Sequence, residues 1–221
     1  MCYYVVRMLI GCCTEREMAI LPPKIQFTKG DLLHTAFTIT RIQGIDALNA
    51  RAIARALGCS TQPIFRAFHS MDEIKQEMLR MAMDSYSAYI TKSTDKAPVP
   101  YLGAGMAYIL FAQEERELFK LLFMRDRVST GSLSDQNDVT LEYVIDLVMQ
   151  STGFAREVAL DFHNHLWIFT HGLASMIATR FLILRREDAM RLLRDQYQAT
   201  RKLFGLCSVP ENYSVFLTDN P

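Results

Sequence analysis

An all-α fold is predicted for this 221-residue chain, and three observations carry the prediction. Apolar residues recur at three- and four-residue intervals through most of its length, the spacing of one helix face. The segments marked in this way begin at side chains that cap helix N-termini and stop at glycine or proline. No run alternates apolar and polar residues as a half-buried strand would. The pattern divides the chain into a small helical unit at 18–70, a larger one at 71–207 and a tail at 208–221. Residues 1–17 are expected to be a disordered extension or a mis-assigned start. Half of all residues are apolar, enough for a real core.

In the first segment Leu9-Ile10-Gly11-Cys12 resembles a lipoprotein cleavage box, but the preceding apolar stretch is interrupted by Arg7. A signal peptide needs an uninterrupted apolar run. No other segment approaches the roughly 20 uncharged apolar residues of a membrane span. The five cysteines, Cys2, Cys12, Cys13, Cys59 and Cys207, are odd in number and show no metal-ligand spacing. Reduced thiols, a cytoplasmic location and no membrane partner are therefore expected.

Thr28 is a candidate N-cap with Asp31 three residues on, and the helix from Lys29 places Leu33, Ala36, Phe37 and Thr40 on one side. Thr28, Lys29 and the unpaired N–H groups of that first turn suit a phosphate. Gly44 ends the helix, and Leu48 is expected to tuck beneath the next two. Asn49 can cap the second helix, which carries Ile53, Ala54 and Leu57 on one face and stops at Gly58. Ser60 offers a new cap, Pro63 fits the first turn, and a third helix spans about 61–68 with Ile64, Phe65 and Phe68 turned inward. Ser70 and Glu73 have capping-box spacing and open a longer helix at 71–92.

Short helix, glycine turn, short helix is the helix-turn-helix pattern, whose second helix enters the DNA major groove. The fuller set of Ile53-Ala54, Leu57-Gly58, Ser60, Ile64-Phe65, Phe68 and Ser70 resembles the DNA-binding domain of the tetracycline-repressor (TetR) family, over about residues 24–81. Three positions depart from the family's usual residues: Phe65 stands for a tyrosine, Ala67 for a histidine and Met71 for a lysine. Thr61, Gln62 and Arg66 are the candidates for base edges, because glutamine pairs bidentately with adenine and arginine with guanine. Arg51 and Arg55, one turn apart, are expected on phosphates, with Asn49 beside the backbone and Phe65 there only as the alternative to its inward packing. Residues 18–71 hold six basic residues against two acidic ones in a chain of zero formal charge, so the basic end is local.

Helices are further expected at about 100–112, 114–127, 139–150, 154–184 and 187–205, with a polar loop at 129–138. Met81, Tyr86, Tyr89, Tyr108, Phe111, Phe123, Tyr143, Trp167 and His171 lie on helices that, by the resemblance, enclose a ligand cavity. Adaptable methionines and tyrosines with a polar tip suit a largely apolar ligand. The cluster Trp167-x-x-x-His171-Gly172 resembles the signature of one C-terminal subgroup, in which this helix and the last one form the dimer interface. Trp167, Gly172, Ser175, Leu193 and Tyr197 are the candidates for that seam.

His163, His165 and His171 lack the spacing that puts two metal ligands on one helix face, and no nucleophile-elbow, phosphate-loop or dinucleotide motif occurs. No catalytic residue, metal or cofactor is assigned. The resemblance implies a homodimeric regulator of transcription that binds a palindromic double-stranded operator and is released by a small effector. The alternative is a ligand- or protein-binding member of the fold with weak or lost DNA binding.

Overall fold

The computed structural model describes residues 27–124 and 139–206. The expected extension at 1–17, the loop at 129–138, the tail and four of the five cysteines lie outside the described residues. Those residues form helices and connecting turns, with no strand among them.

Helix α1 (Lys29–Gln43) opens on a complete capping box: Thr28 accepts the Asp31 N–H at 3.1 Å while the Asp31 carboxylate takes the Thr28 N–H at 2.8 Å. Its buried face is Leu32, Ala36, Ile39 and Thr40; Leu33 and Phe37, expected there, lie at its half-exposed edge. Gly44, at φ 86°, ends it, and a 3-10 turn at Ile45–Ala47 leads to buried Leu48. Helix α2 (Ala50–Leu57) is capped by Asn49 and stops at Gly58, whose φ of 64° and ψ of 32° lie in the left-handed region. Helix α3 (Gln62–Ala67) follows, with Pro63 in its first turn. The expected Ser60 cap is not formed: Thr61 occupies the cap position without a side-chain cap bond. Ile53 and Ile64 are fully buried and Phe68 nearly so, which locks the two short helices onto α1.

Helix α4 (Met71–Thr94) starts with Ser70 accepting the Glu73 N–H at 3.2 Å. Only half of the expected capping box is present, because the Glu73 carboxylate reaches past Ser70 to the His69 N–H at 2.8 Å. Helices α5 (Pro100–Glu114), α6 (Arg116–Phe123), α7 (Val139–Thr152), α8 (Arg156–Ala178) and α9 (Arg186–Leu203) complete the larger unit. Helix α5 is its axis, buried around most of its circumference and packed against α4, α6, α7, α8 and α9. Gly103 permits the tight α4–α5 crossing: a Cβ there would lie 2.7 Å from the Ser93 carbonyl oxygen. The sequence pattern runs α8 on to residue 184, but the helix stops at Ala178. The Arg116 guanidinium takes the Ala178 carbonyl with two bonds of 3.0 and 2.7 Å, and Arg180 turns the chain at φ 60°.

Candidate functional site

Two surfaces and one cavity hold the predicted residues. On the helix-turn-helix head, Gln62 and Arg66 are exposed on α3, Thr61 is half-buried at its start, and Arg51 and Arg55 are exposed on α2. Neither these two arginines nor Arg66 makes an ion pair among the described residues. Phe65, expected to face inward, is 56% exposed, because Ile64 and Phe68 already fill the inner face of a helix of barely two turns. The other expected contacts are committed elsewhere. The Asn49 oxygen accepts the Ala52 N–H at 2.9 Å and its amide donates to the Ala47 carbonyl at 3.2 Å. Thr28 is bonded to Asp31, whose carboxyl sits below the usual range because of the Thr28 hydroxyl and then the Thr28 N–H. This acid occupies the start of α1, where a phosphate was expected. Lys29 reaches Glu73 at 3.0 Å and lies 4.6 Å over the Phe68 ring, and Glu73 is held low first by the His69 N–H and then by Lys29.

The cavity lies inside the larger unit, about 50 Å³, between α4, α5, α7, α8 and α9. Of the predicted pocket residues Tyr86, Tyr108 and Trp167 line it. Phe111 and Phe123 stand just behind, their rings 5.3 and 5.1 Å from Tyr86. His171 also stands behind the wall, bonded to the Tyr108 hydroxyl at 2.8 Å and stacked on Trp167 at 4.9 Å. Three assignments move. Tyr143 is 41% exposed and meets the Thr94 hydroxyl at 3.1 Å, Tyr89 lines an outer groove, and Met81 packs against the core without lining either space. Helical rotation is the reason: residues three or four apart share a face, and Tyr86 and Ile90 take the inward one on α4.

Sequence reasoning did not join the pair at the centre of this cavity. The Tyr101 hydroxyl and His163 Nδ1 share a hydrogen bond of 3.0 Å although 62 positions separate them. Burial pushes the Tyr101 phenol up and lowers His163 to about 4, so both are neutral near pH 7. The cavity wall therefore carries no charge: its polar side chains are three tyrosines, a neutral imidazole, Trp167 and Thr170.

Two of the seam candidates are corrected. Tyr197 is 1% exposed and packs on Tyr101 and Phe162, while Leu193 fills the space left by Gly105, so both belong to the interior of one chain. Gly172 faces open space, and along the same outward line Ile168 and Met176 are 56% and 38% exposed. Ser175, half-buried, lies 3.4 Å from His171 Nε2. Past the end of α8, Phe181 and Ile183 are 82% and 92% exposed. His165 meets the Asp161 carboxylate at 3.6 Å on the surface. Among the described residues no three metal-ligating side chains cluster, and no helix is long and apolar enough to cross a membrane.

The head meets the larger unit at a second place besides α4. Arg41, in the last turn of α1, forms a two-pronged bond with Glu115 at the α5–α6 junction, Nε to Oε2 at 2.6 Å and Nη2 to Oε1. Glu115 is 6% exposed, and this partner holds the Arg41 guanidinium above its ordinary range.

Residues 102–199 match the model of the family described as tetracyclin repressor-like, C-terminal domain. Among solved structures the chain is similar to the ketosteroid transcriptional regulator KstR2 of Mycobacterium tuberculosis, at 15% sequence identity, covering 84% of this chain and 98% of that one with a TM-score of 0.44. No curated protein matches the chain.

Proposed function

We propose that the chain is a regulator of transcription of the tetracycline-repressor type, a homodimer that binds a two-fold symmetric operator through α3 and releases it when a small, largely apolar molecule occupies the larger unit. One observation carries the DNA half of this reading. The short helix α3 turns Gln62, Phe65 and Arg66 to solvent over a buried Ile64, with Arg51 and Arg55, which make no ion pair among the described residues, alongside. Solvent-facing apolar and amide side chains between cations on a helix this firmly anchored suit the major groove and its flanking phosphates. Support for the effector half comes from the uncharged cavity and from the match of residues 102–199 to a repressor-type C-terminal domain. The exposed line Ile168, Gly172 and Met176, continued by Phe181 and Ile183, suits a two-fold seam between copies.

The test is selection of duplexes from a randomised pool by the full chain. A palindromic consensus is expected, with half-site centres about one helical turn or a multiple apart. Gln62→Ala then costs about 1 to 3 kcal/mol on that consensus and relaxes preference at one position, whereas Arg51→Ala weakens all sequences alike and lowers the salt slope by about 1. Gly172→Arg yields monomer or aggregate in sedimentation. A pool that shows no enrichment overturns the operator reading. The second reading, a ligand-binding relative with weak DNA affinity, is favoured by Phe65, which is exposed yet lacks a hydroxyl, and by Lys29, which is paired to Glu73. It prevails if the wild type binds no duplex and Met71→Lys does.

A further inference from the structure

The cavity has a neighbour that neither the head nor the proposed effector site uses. A groove of about 390 Å³ runs over the surface between the C-terminal end of α4, α5 and the N-terminal half of α9. Its floor is apolar, with Met106, Leu110 and Met190, and its rim is basic, with Lys92, Lys96, Arg186 and Arg194. Lys92, Lys96 and Arg186 are exposed and make no ion pair among the described residues. The rim's single carboxylate, Glu114, already accepts the Tyr89 hydroxyl at 2.7 Å. A basic rim over an apolar floor matches a molecule that is anionic at one end and apolar along its body.

Leu102 connects the two spaces, since it lines the interior cavity on one side and the groove on the other. It is a half-buried aliphatic side chain on α5 and the one residue common to the two linings. The charge distribution sets the direction in which a ligand lies. The interior wall is uncharged, and a desolvated anion there would have no countercharge. The cations stand only at the surface end. The groove is the larger space, so it takes most of the body, and the tail's end reaches the Tyr101–His163 pair.

We propose that groove and cavity form one continuous site for a single-chain amphiphile, whose anionic head is held by Lys92, Lys96 and Arg186 at the surface and whose apolar tail passes Leu102 into the interior. This rests on the preceding reading of the cavity as an effector site and names the chemical class of the effector. Carboxylate and phosphate heads share the required chemistry.

Trp167 is the chain's only tryptophan and lines the interior cavity, so its fluorescence reports arrival of the tail. The full chain is titrated with decanoate, decyl phosphate and decanol below micelle-forming concentrations, following Trp167 emission and heat release, without DNA. At least one anion is expected to saturate with a Trp167 response, and decanol to bind roughly tenfold or more weakly. The double variant Lys92→Glu/Arg186→Glu should weaken the anion roughly tenfold and leave decanol unchanged, since reversal replaces attraction with repulsion at exposed, solvent-screened cations. Leu102→Phe should keep the heat of head binding but suppress the Trp167 response. Decanol binding as tightly as both anions, or charge reversal without effect on them, overturns the proposal; saturation by one anion and not the other identifies the head. A chain that binds these amphiphiles but no operator fails only the regulator reading, and one that binds an operator but none of the three fails only this inference.

Discussion

Two glycines on one helix offer a sharp check of the packing around the cavity. Gly103 and Gly105 both lie within α5, so replacing either by alanine brings the same gain in helix propensity, about 1 kcal/mol. They differ in what the added methyl meets. At Gly103 a Cβ would stand 2.7 Å from the Ser93 carbonyl oxygen, 3.1 Å from its carbon and 2.8 Å from Ala97 Cβ, and backbone cannot step aside without parting α4 from α5. At Gly105 the obstacles are the tips of one side chain, Leu193 Cδ2 at 2.9 Å and Cδ1 at 3.2 Å, beside a cavity into which they can turn. Overpacking costs about 1 to 3 kcal/mol where neighbours are fixed. Gly103→Ala should therefore be destabilising overall by up to about 2 kcal/mol, and Gly105→Ala neutral or stabilising by up to about 1 kcal/mol. For a chain of this size each kcal/mol moves the melting temperature by about 2 to 4 °C. Thermal unfolding followed by circular dichroism should then separate the two variants by several degrees, with Gly103→Ala below wild type. Equal upward shifts for both would refute the close α4–α5 crossing.

Other expectations concern the head, the link to it and the cavity imidazole. Ile64→Ala should cost about 2 to 5 kcal/mol in urea unfolding, as a fully buried aliphatic side chain is lost, while Phe65→Ala changes stability by no more than about 0.5 kcal/mol. Similar losses for both would mean that α3 is rotated. Glu115→Gln should cost about 1 kcal/mol, because it removes a charge-assisted partner from an Arg41 side chain that is 55% exposed and so partly screened; an unchanged urea midpoint would show that the pair contributes nothing. His163 has its folded pKa depressed to about 4, below the unfolded value of about 6.5, so its contribution to stability is complete above pH 6.5 and is lost as the pH falls toward 4. By pH 5 that loss is on the order of 2 kcal/mol, and His163→Gln should lose less than wild type between pH 7 and pH 5. Parallel pH profiles for the two proteins would exclude His163 as the source.

Much of this arrangement was legible in the residues, because its signals are local. Thr28 with Asp31, Asn49, and Gly44 and Gly58 mark helix ends through hydrogen bonds and dihedral angles that reach no further than four positions, and each end lies where the spacing puts it. Misreadings arose where a distant partner decides. Helix α8 stops at Ala178 because Arg116 takes its terminal carbonyl, and nothing near residue 178 announces an arginine 62 positions away. Glu73 has capping-box spacing but is drawn to His69 and to Lys29, which lies on another helix. Phe65 reads as core by type, yet a helix as short as α3 has room for only one inward line, already taken by Ile64 and Phe68. For the cavity, the right residue types were visible, and which of them share a wall was not. Tyr101 and His163 meet only because α5 and α8 pack side by side.

The two connections between head and larger unit differ in chemistry, and that difference constrains any coupling between them. Helix α4 carries 24 residues, about 36 Å at 1.5 Å per residue, from the Ser70 cap past buried Met78 and Ala82 to Tyr86 at the cavity and Lys92 at the groove. Apolar contacts of this kind are not directional. The Arg41–Glu115 bond behaves otherwise. Its carboxylate is almost entirely out of water, and parting it from the guanidinium would leave a buried charge unpaired. On the proposed effector reading, a molecule that occupies the cavity can bias the direction of α3 by no more free energy than the difference in its affinity for two arrangements of α4.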